Sequence, residues 1–186
     1  MPLRSSKTLP WLAAIWMCIG GGTGTALAAD DPCAAIKWNV TEERAVFAQP
    51  AQTTAAGRNS ASAPTIKTKT LYELTLTAQD GVTFAAPPGK KALPDGAFAG
   101  LVHFRVPTTG VYRISLDQGF WVDIVNHQTL IESTDFTGAH DCSAPRKIVQ
   151  YNLPGGEDLV LQLSGAPKDR VRVAVTSVAA TAAGGR

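Results

Sequence analysis

The stretch TDFTGAHDCSAPRK, residues 134–147, holds the densest group of chemically capable side chains in this sequence. Four of its residues are types that ligate transition metals: Asp135, His140, Asp141 and Cys142. A free thiolate at Cys142 would also be a nucleophile. The spacing is poor for a metal, because the adjacent His140 and Asp141 point in different directions on an extended chain. We therefore interpret the stretch as a loop between two strands, clasped by a disulfide.

The histidines are the other candidates for metal chemistry, and there are three: His103, His127 and His140. An iron site of the two-histidine-one-carboxylate kind would need two of them with Glu132 or Asp135. Each histidine stands alone in the sequence, and Asn126-His127-Gln128 is typical of a hairpin tip. Solvated surface histidines are the favoured interpretation, so no cofactor is predicted and iron is the alternative.

The region 118–146 is better suited to binding than to catalysis. The sequence has no G-x-S-x-G nucleophile motif, and no glycine-rich loop opens a helix after the signal segment. An outward Trp121 beside Asp123 would suit a sugar face or an apolar partner, although packing of Trp121 under the loop 126–140 is the favoured alternative. The predicted binding surface consists of Trp121, Asp123, His127, Asp135, His140 and Arg146.

The first 28 residues have the pattern of a secretory signal. Arg4 and Lys7 precede the apolar run 11–19, and Ala26-Leu27-Ala28 forms a small-x-small cleavage site. The apolar run is too short to span a bilayer, which needs about 20 residues, and no later run is longer. We expect cleavage after Ala28, a periplasmic or secreted location, and no transmembrane segment in the mature chain.

Removing 28 of the 186 residues leaves 158, enough for one domain with a core. The signal carries two of the 17 basic residues and none of the 15 acidic ones, so the mature chain is formally neutral. A neutral chain gives no reason to expect a nucleic-acid partner. Cys33 and Cys142 are the two cysteines after the signal, and an even pair in an oxidising compartment predicts a disulfide.

Period-two alternation of apolar and polar residues dominates the chain after residue 70. Turn sequences rich in Gly and Pro separate the alternating segments, which predicts an all-β, antiparallel β-sandwich or jelly-roll-like fold. The predicted strands are 71–77, 101–106, 111–117, 120–125, 147–153, 159–164 and 171–176. Before them, 29–49 is expected to hold one short helix, and 50–69 to be a low-complexity linker or an extended surface segment. The sandwich is expected at 70–178 and a disordered tail at 179–186.

Cys33, WNVTEERAVFA (38–48), GVYRISLDQGFWVDIV (110–125) and DFTGAHDCSAPRKIVQYNLPGGEDLVLQLSG (135–165) together resemble a known group of proteins. These are small secreted bacterial proteins that often carry the name homogentisate 1,2-dioxygenase, and the resemblance covers most of the mature chain. The name implies an iron-dependent oxygenase with two histidines and a glutamate as ligands. No motif matches position by position, so the resemblance assigns no iron ligand here.

A second resemblance rests on GVYRISL (110–116) followed by LPGGEDLVLQLSG (153–165), which is similar to pre-peptidase C-terminal domains. Those domains are β-sandwich accessory modules of secreted enzymes, and the similarity covers about half of the chain. We therefore expect an exported, non-catalytic β-sandwich that binds a ligand or an envelope protein. A small metal-dependent oxygenase and a structural envelope protein are the alternatives.

Overall fold

The structure is a computed structural model that describes residues 31–178. The predicted signal segment 1–28 and the predicted tail 179–186 lie outside the described residues. One α-helix precedes twelve β-strands within the described part: α1 (Thr41–Phe47), β1 (Gln52–Ala55), β2 (Thr65–Ile66), β3 (Tyr72–Thr75), β4 (Thr77–Ala78), β5 (Phe98–Phe104), β6 (Gly110–Leu116), β7 (Trp121–Asn126), β8 (Thr129–Ile131), β9 (Ser133–Gly138), β10 (Lys147–Leu153), β11 (Leu159–Ala166) and β12 (Arg170–Ser177).

Two sheets pack face to face, which confirms the predicted all-β sandwich. The first sheet has the order β1-β3-β12-β6-β10-β9, and the second has the order β2-β5-β11-β7-β8, with β4 also pairing with β5. Most neighbours are antiparallel. Both sheets are nevertheless mixed, because the short strands β1 and β2 pair in parallel with β3 and β5.

The core lies between the sheets and is built by the alternation seen in the sequence. Alternate residues of β6, β10, β11 and β12 enter one continuous apolar cluster, to which Phe104, Leu116, Tyr151 and Leu161 contribute. The predicted strands 147–153 and 111–117 match β10 and β6 to within a residue. A strand with one buried face and one polar face is therefore readable from its period alone.

Two expectations about the segments between strands were wrong in part. The segment 50–69 is not a linker, because it contains β1 and β2 and Ile66 is buried in the core, although β1 is extended and mostly exposed. The expected loop 134–147 begins as strand β9, and the true loop starts at Ala139. Both segments are poor in the apolar alternation that marks a half-buried strand, because each strand there is short or lies at a sheet edge.

The N-terminal segment packs on the outer face of the first sheet. The disulfide between Cys33 and Cys142, separated by 109 residues in sequence, confirms the predicted clasp. Farther along the segment, Glu43 on α1 forms a buried ion pair with Arg113 on β6, at 3.2 Å. Thr176 also donates a hydrogen bond to Glu43, so helix, clasp and sheet are held as one unit.

The long connection 79–97 covers the outer face of the second sheet. Gln162 on β11 is fully buried beneath it, accepts hydrogen bonds from the backbone of Ala85 and Ala86, and donates one to the carbonyl of Ala86. This pairing satisfies a buried amide that would otherwise cost stability. It also fixes the turn 86–89 beside the start of β7, where the candidate site begins.

Candidate functional site

A cleft opens at the edge of the sandwich where the chain passes from β8 to β9. It has a volume of about 700 Å³, within the usual range for small-ligand sites. We call it the Trp121 cleft and define it by six of its lining residues: Trp121, Asp123, Gln128, Glu132, Ser133 and Tyr151. Its wall thus combines an indole, two carboxylates and several neutral polar groups.

Trp121 is held in a fixed orientation at this cleft. Its indole Nε1 donates a 2.9 Å hydrogen bond to Asp123 Oδ1, while the backbone N–H of Gly89 donates a 3.2 Å bond to Asp123 Oδ2. The Trp121 side chain remains 37% exposed, whereas Asp123 is buried. Trp121 is therefore not packed beneath the loop 126–140, as was expected, because the face of its indole reaches the cleft.

The environment of Asp123 explains its role. Burial raises the pKa of this carboxyl, and the hydrogen bonds from Gly89 and Trp121 oppose the rise. Both carboxylate oxygens already accept a bond from the protein. Asp123 therefore acts as a positioning residue for the indole and for the turn 86–89.

Lys147 lies close to the indole of Trp121. Its Nζ is 5.8 Å from the centre of the Trp121 ring and donates a hydrogen bond to the carbonyl of Phe120. Burial lowers the pKa of the Lys147 amine, the nearby Lys90 lowers it further, and Asp123 partly offsets both. A half-buried ammonium beside an exposed aromatic ring is a ready partner for an anionic group.

Tyr151 forms part of the floor of the cleft. Its hydroxyl donates a 2.9 Å bond to the carbonyl of Val122, which joins β10 of the first sheet to β7 of the second. Burial raises the pKa of Tyr151 well above its ordinary value, and the charge of Asp123 adds to the effect. The phenol is thus a neutral structural link between the sheets.

A second, smaller depression of about 280 Å³ lies next to Lys147. We call it the Phe136 groove and define it by Gly119, Phe136, Ala139, His140, Arg146 and Lys147. Phe136 stands opposite Val149 on β10, so its ring is on the inner face of the first sheet, yet 67% of it is exposed. The second sheet does not extend far enough to cover it.

The histidines do not form a metal centre within residues 31–178. His103 Nε2 lies 2.8 Å from the carbonyl of Ser60, and His127 Nε2 lies 3.3 Å from Glu157. His140 Nδ1 instead lies 2.9 Å from Arg146. In the described part of the chain, no three His, Cys, Asp or Glu side chains group as they would around an ion. Glu132 also lies in a different cleft from His103. These residues therefore do not fit an iron site of the two-histidine-one-carboxylate kind.

The structure divides the predicted binding surface into separate places. Trp121 and Asp123 lie in the Trp121 cleft, and His140 and Arg146 lie in the Phe136 groove. His127 occupies the predicted hairpin tip with a positive φ of 45° and lines a different depression together with His103. Asp135 is engaged by Lys37 at 2.6 Å, and this bond lowers its pKa.

Sequence reasoning missed Phe136, Lys147 and Tyr151 as members of the site. One signal was present, because Lys147, Val149 and Tyr151 alternate along β10 and Val149 faces the core. A lysine in register with core residues is unusual unless it reaches an opening. Phe136 carried no comparable signal, since its strand was read as a loop.

No protein-family model matches the chain, and no curated protein sequence matches it.

No helix within residues 31–178 is both long and apolar enough to cross a membrane.

Proposed function

We propose that this protein is an exported, non-catalytic binding module of the cell envelope that takes its ligand in the Trp121 cleft. The observation that carries the proposal is the exposed indole of Trp121, fixed by Asp123 at the mouth of a cleft of about 700 Å³. Most large apolar side chains of the described residues are buried, whereas Trp121 and Phe136 are exposed. An aromatic face held rigidly in a cleft binds at low entropic cost.

The location is part of the same proposal. The disulfide between Cys33 and Cys142 fits an oxidising compartment, since such bonds rarely persist in the cytosol. Cleavage after Ala28 would place the protein in the periplasm or outside the cell. The resemblance to small secreted bacterial proteins agrees with export, and it stays a prediction.

A non-catalytic role is supported by what the cleft contains. Asp123 is occupied by two hydrogen bonds, and Tyr151 is committed to the carbonyl of Val122. Glu132 is the other carboxylate of the cleft; the hydroxyl of the neighbouring Ser133 also lines it, but no histidine or lysine that could activate that hydroxyl is among the lining residues. This set of groups orients and binds, but it offers no activated nucleophile.

The experiment that tests the proposal is binding of a defined panel by the mature protein. The panel contains a neutral oligosaccharide, an acidic oligosaccharide and an acidic peptide, and calorimetry measures each affinity. We expect one class to bind wild type, Trp121→Ala to abolish that binding, and Trp121→Phe to retain part of it through the aromatic face. Binding that Trp121→Ala leaves unchanged, or no binding of any class, would overturn the proposal.

A further inference from the structure

One side chain, Lys147, connects the Phe136 groove to the indole of the Trp121 cleft. Lys147 lines the Phe136 groove, and its ammonium lies 5.8 Å from the centre of the Trp121 ring. Lys147 opposes Gly138 and Val149 opposes Phe136 in the pairing of β10 with β9. Lys147 and Phe136 are therefore diagonal neighbours on the same face of the first sheet. Two exposed aromatic rings thus flank one lysine along the open edge of the sandwich.

Lys147 makes no direct ion pair among the described residues, although the charge of Asp123 is near enough to raise its pKa. Nine ion pairs occur within residues 31–178, and none of them includes Lys147. Its described polar contact is the carbonyl of Phe120, which leaves two ammonium protons to donate. Arg146 and His140 line the same groove, and no carboxylate lines it among the described residues. A half-buried cation in such surroundings is complementary to a carboxylate or sulfate.

The shape and polarity of the whole edge favour a sugar chain over a peptide. Sugar rings present flat C–H faces to aromatic rings and hydroxyl groups around their rims. The Trp121 cleft supplies the matching polar partners in Gln128, Thr129, Ser133 and Glu132. Aromatic surfaces in two neighbouring depressions, with Lys147 between them, suit nearby rings of one chain.

We infer that the ligand of this site is an acidic carbohydrate chain, with one ring stacked on Trp121, another on Phe136 and an acidic group paired with Lys147 between them. This inference rests on the proposed function, because it names the class of ligand for the same cleft. Desolvation already lowers the pKa of Lys147. An anion bound there would therefore stabilise the charged form of the ammonium, which burial destabilises.

The test compares a short oligogalacturonate with its fully methyl-esterified form, which has the same backbone without the charge. Calorimetry on the mature wild type should show affinity for the acid about ten-fold or more above that for the ester. Lys147→Gln should remove this preference, and Lys147→Arg should keep most of it. Lys67→Gln is the matched control, because Lys67 is an exposed lysine that lines neither depression.

A second variant keeps the inference falsifiable if Lys147→Gln fails to fold. Phe136→Ala removes an exposed ring and should weaken binding of both acid and ester without lowering stability much. Equal affinities for acid and ester, both lost in Trp121→Ala, would overturn the acidic ligand and leave the proposed function standing. Tighter binding of a poly-glutamate peptide than of oligogalacturonate would overturn the carbohydrate. No binding dependent on Trp121 in any arm would overturn both proposals.

Discussion

Trp121 and Asp123, two residues apart on β7, are joined by a 2.9 Å hydrogen bond from the indole Nε1 to Asp123 Oδ1. Residues at this spacing share a face of a strand, which here is the outer face of the second sheet. The bond fixes the ring while its plane stays accessible from the cleft. Gly89 completes the arrangement by donating its backbone N–H to the other oxygen of Asp123.

The turn that contains Gly89 is expected to tolerate no larger residue. A Cβ built at position 89 would lie 2.9 Å from Asp123 Oδ1, closer than side-chain carbons normally approach. Gly89→Ala should displace the carboxylate and lower the free energy of unfolding by about 1–3 kcal/mol. Gly81→Ala is the control, since nothing lies within 4 Å of its added Cβ. Urea denaturation of both variants measures the difference, and equal midpoints would show that the turn is not held against Asp123.

The raised pKa of Asp123 predicts a dependence of stability on pH. The folded state holds this proton more tightly than the unfolded state, whose pKa is near the ordinary value of 3.8. Ionisation of Asp123 therefore costs stability, and the cost grows as the pH rises from below 3.8 through the folded-state pKa. The wild type should lose stability relative to Asp123→Asn over that interval.

Urea denaturation of both proteins at a series of pH values provides the measurement. Asp31 and Asp135 have lowered pKa values and titrate in the opposite sense, but they are present in both proteins and cancel in the difference. A difference that does not change with pH, or a wild type that gains stability relative to the variant as the pH rises, would contradict the burial of Asp123.

The disulfide is expected to act on stability. Cys33 and Cys142 close a loop of more than a hundred residues, so the bond restricts the unfolded chain strongly. Replacing both with alanine should lower the free energy of unfolding by about 4 kcal/mol. Thermal and urea denaturation of the double variant test this, with wild type in reducing agent as a second comparison. A double variant as stable as the oxidised wild type would show that the clasp adds nothing to the packing of the N-terminal segment.

Replacing one partner of the buried ion pair between Glu43 and Arg113 should lower the free energy of unfolding strongly. Glu43→Gln leaves the Arg113 guanidinium buried without its carboxylate, and we expect a loss of about 3 kcal/mol. The exposed pair between Arg170 and Glu73, at 2.9 Å, provides the comparison. Arg170→Gln should cost less than about 1 kcal/mol, because water screens that pair. Similar losses of stability in the two variants would contradict the burial of the pair between Glu43 and Arg113.

The sandwich was predictable from sequence because its central strands each have one buried and one polar face. β6, β10 and β12 display that period clearly, and their bounds agree with the pattern. The edge strands β2 and β9 were not predictable, since β2 has two residues and β9 buries one residue of six. Edge strands gain their structure from the neighbour they pair with, which a local pattern does not reveal.

The candidate site was only half predictable for a related reason. Trp121 and Asp123 are two residues apart, so the sequence places them together on a strand. Phe136 and Lys147 meet through the pairing of β9 with β10, which joins residues eleven positions apart across a loop. The closing of that loop by Cys142 was expected, but the register of the two strands was not available from composition or spacing.

The central claim is that ligand binds against the Trp121 face, and nuclear magnetic resonance tests it most directly. Of the four tryptophans, two lie beyond the predicted signal, so the mature chain should give indole N–H signals from Trp38 and Trp121. Trp38 lies on the other side of the molecule's first sheet, stacked against Arg113 at 4.4 Å. On titration with oligogalacturonate we predict that the Trp121 signal shifts and saturates while the Trp38 signal stays in place. A saturable shift of Trp38 with Trp121 unmoved, or no shift of either signal, would contradict the account.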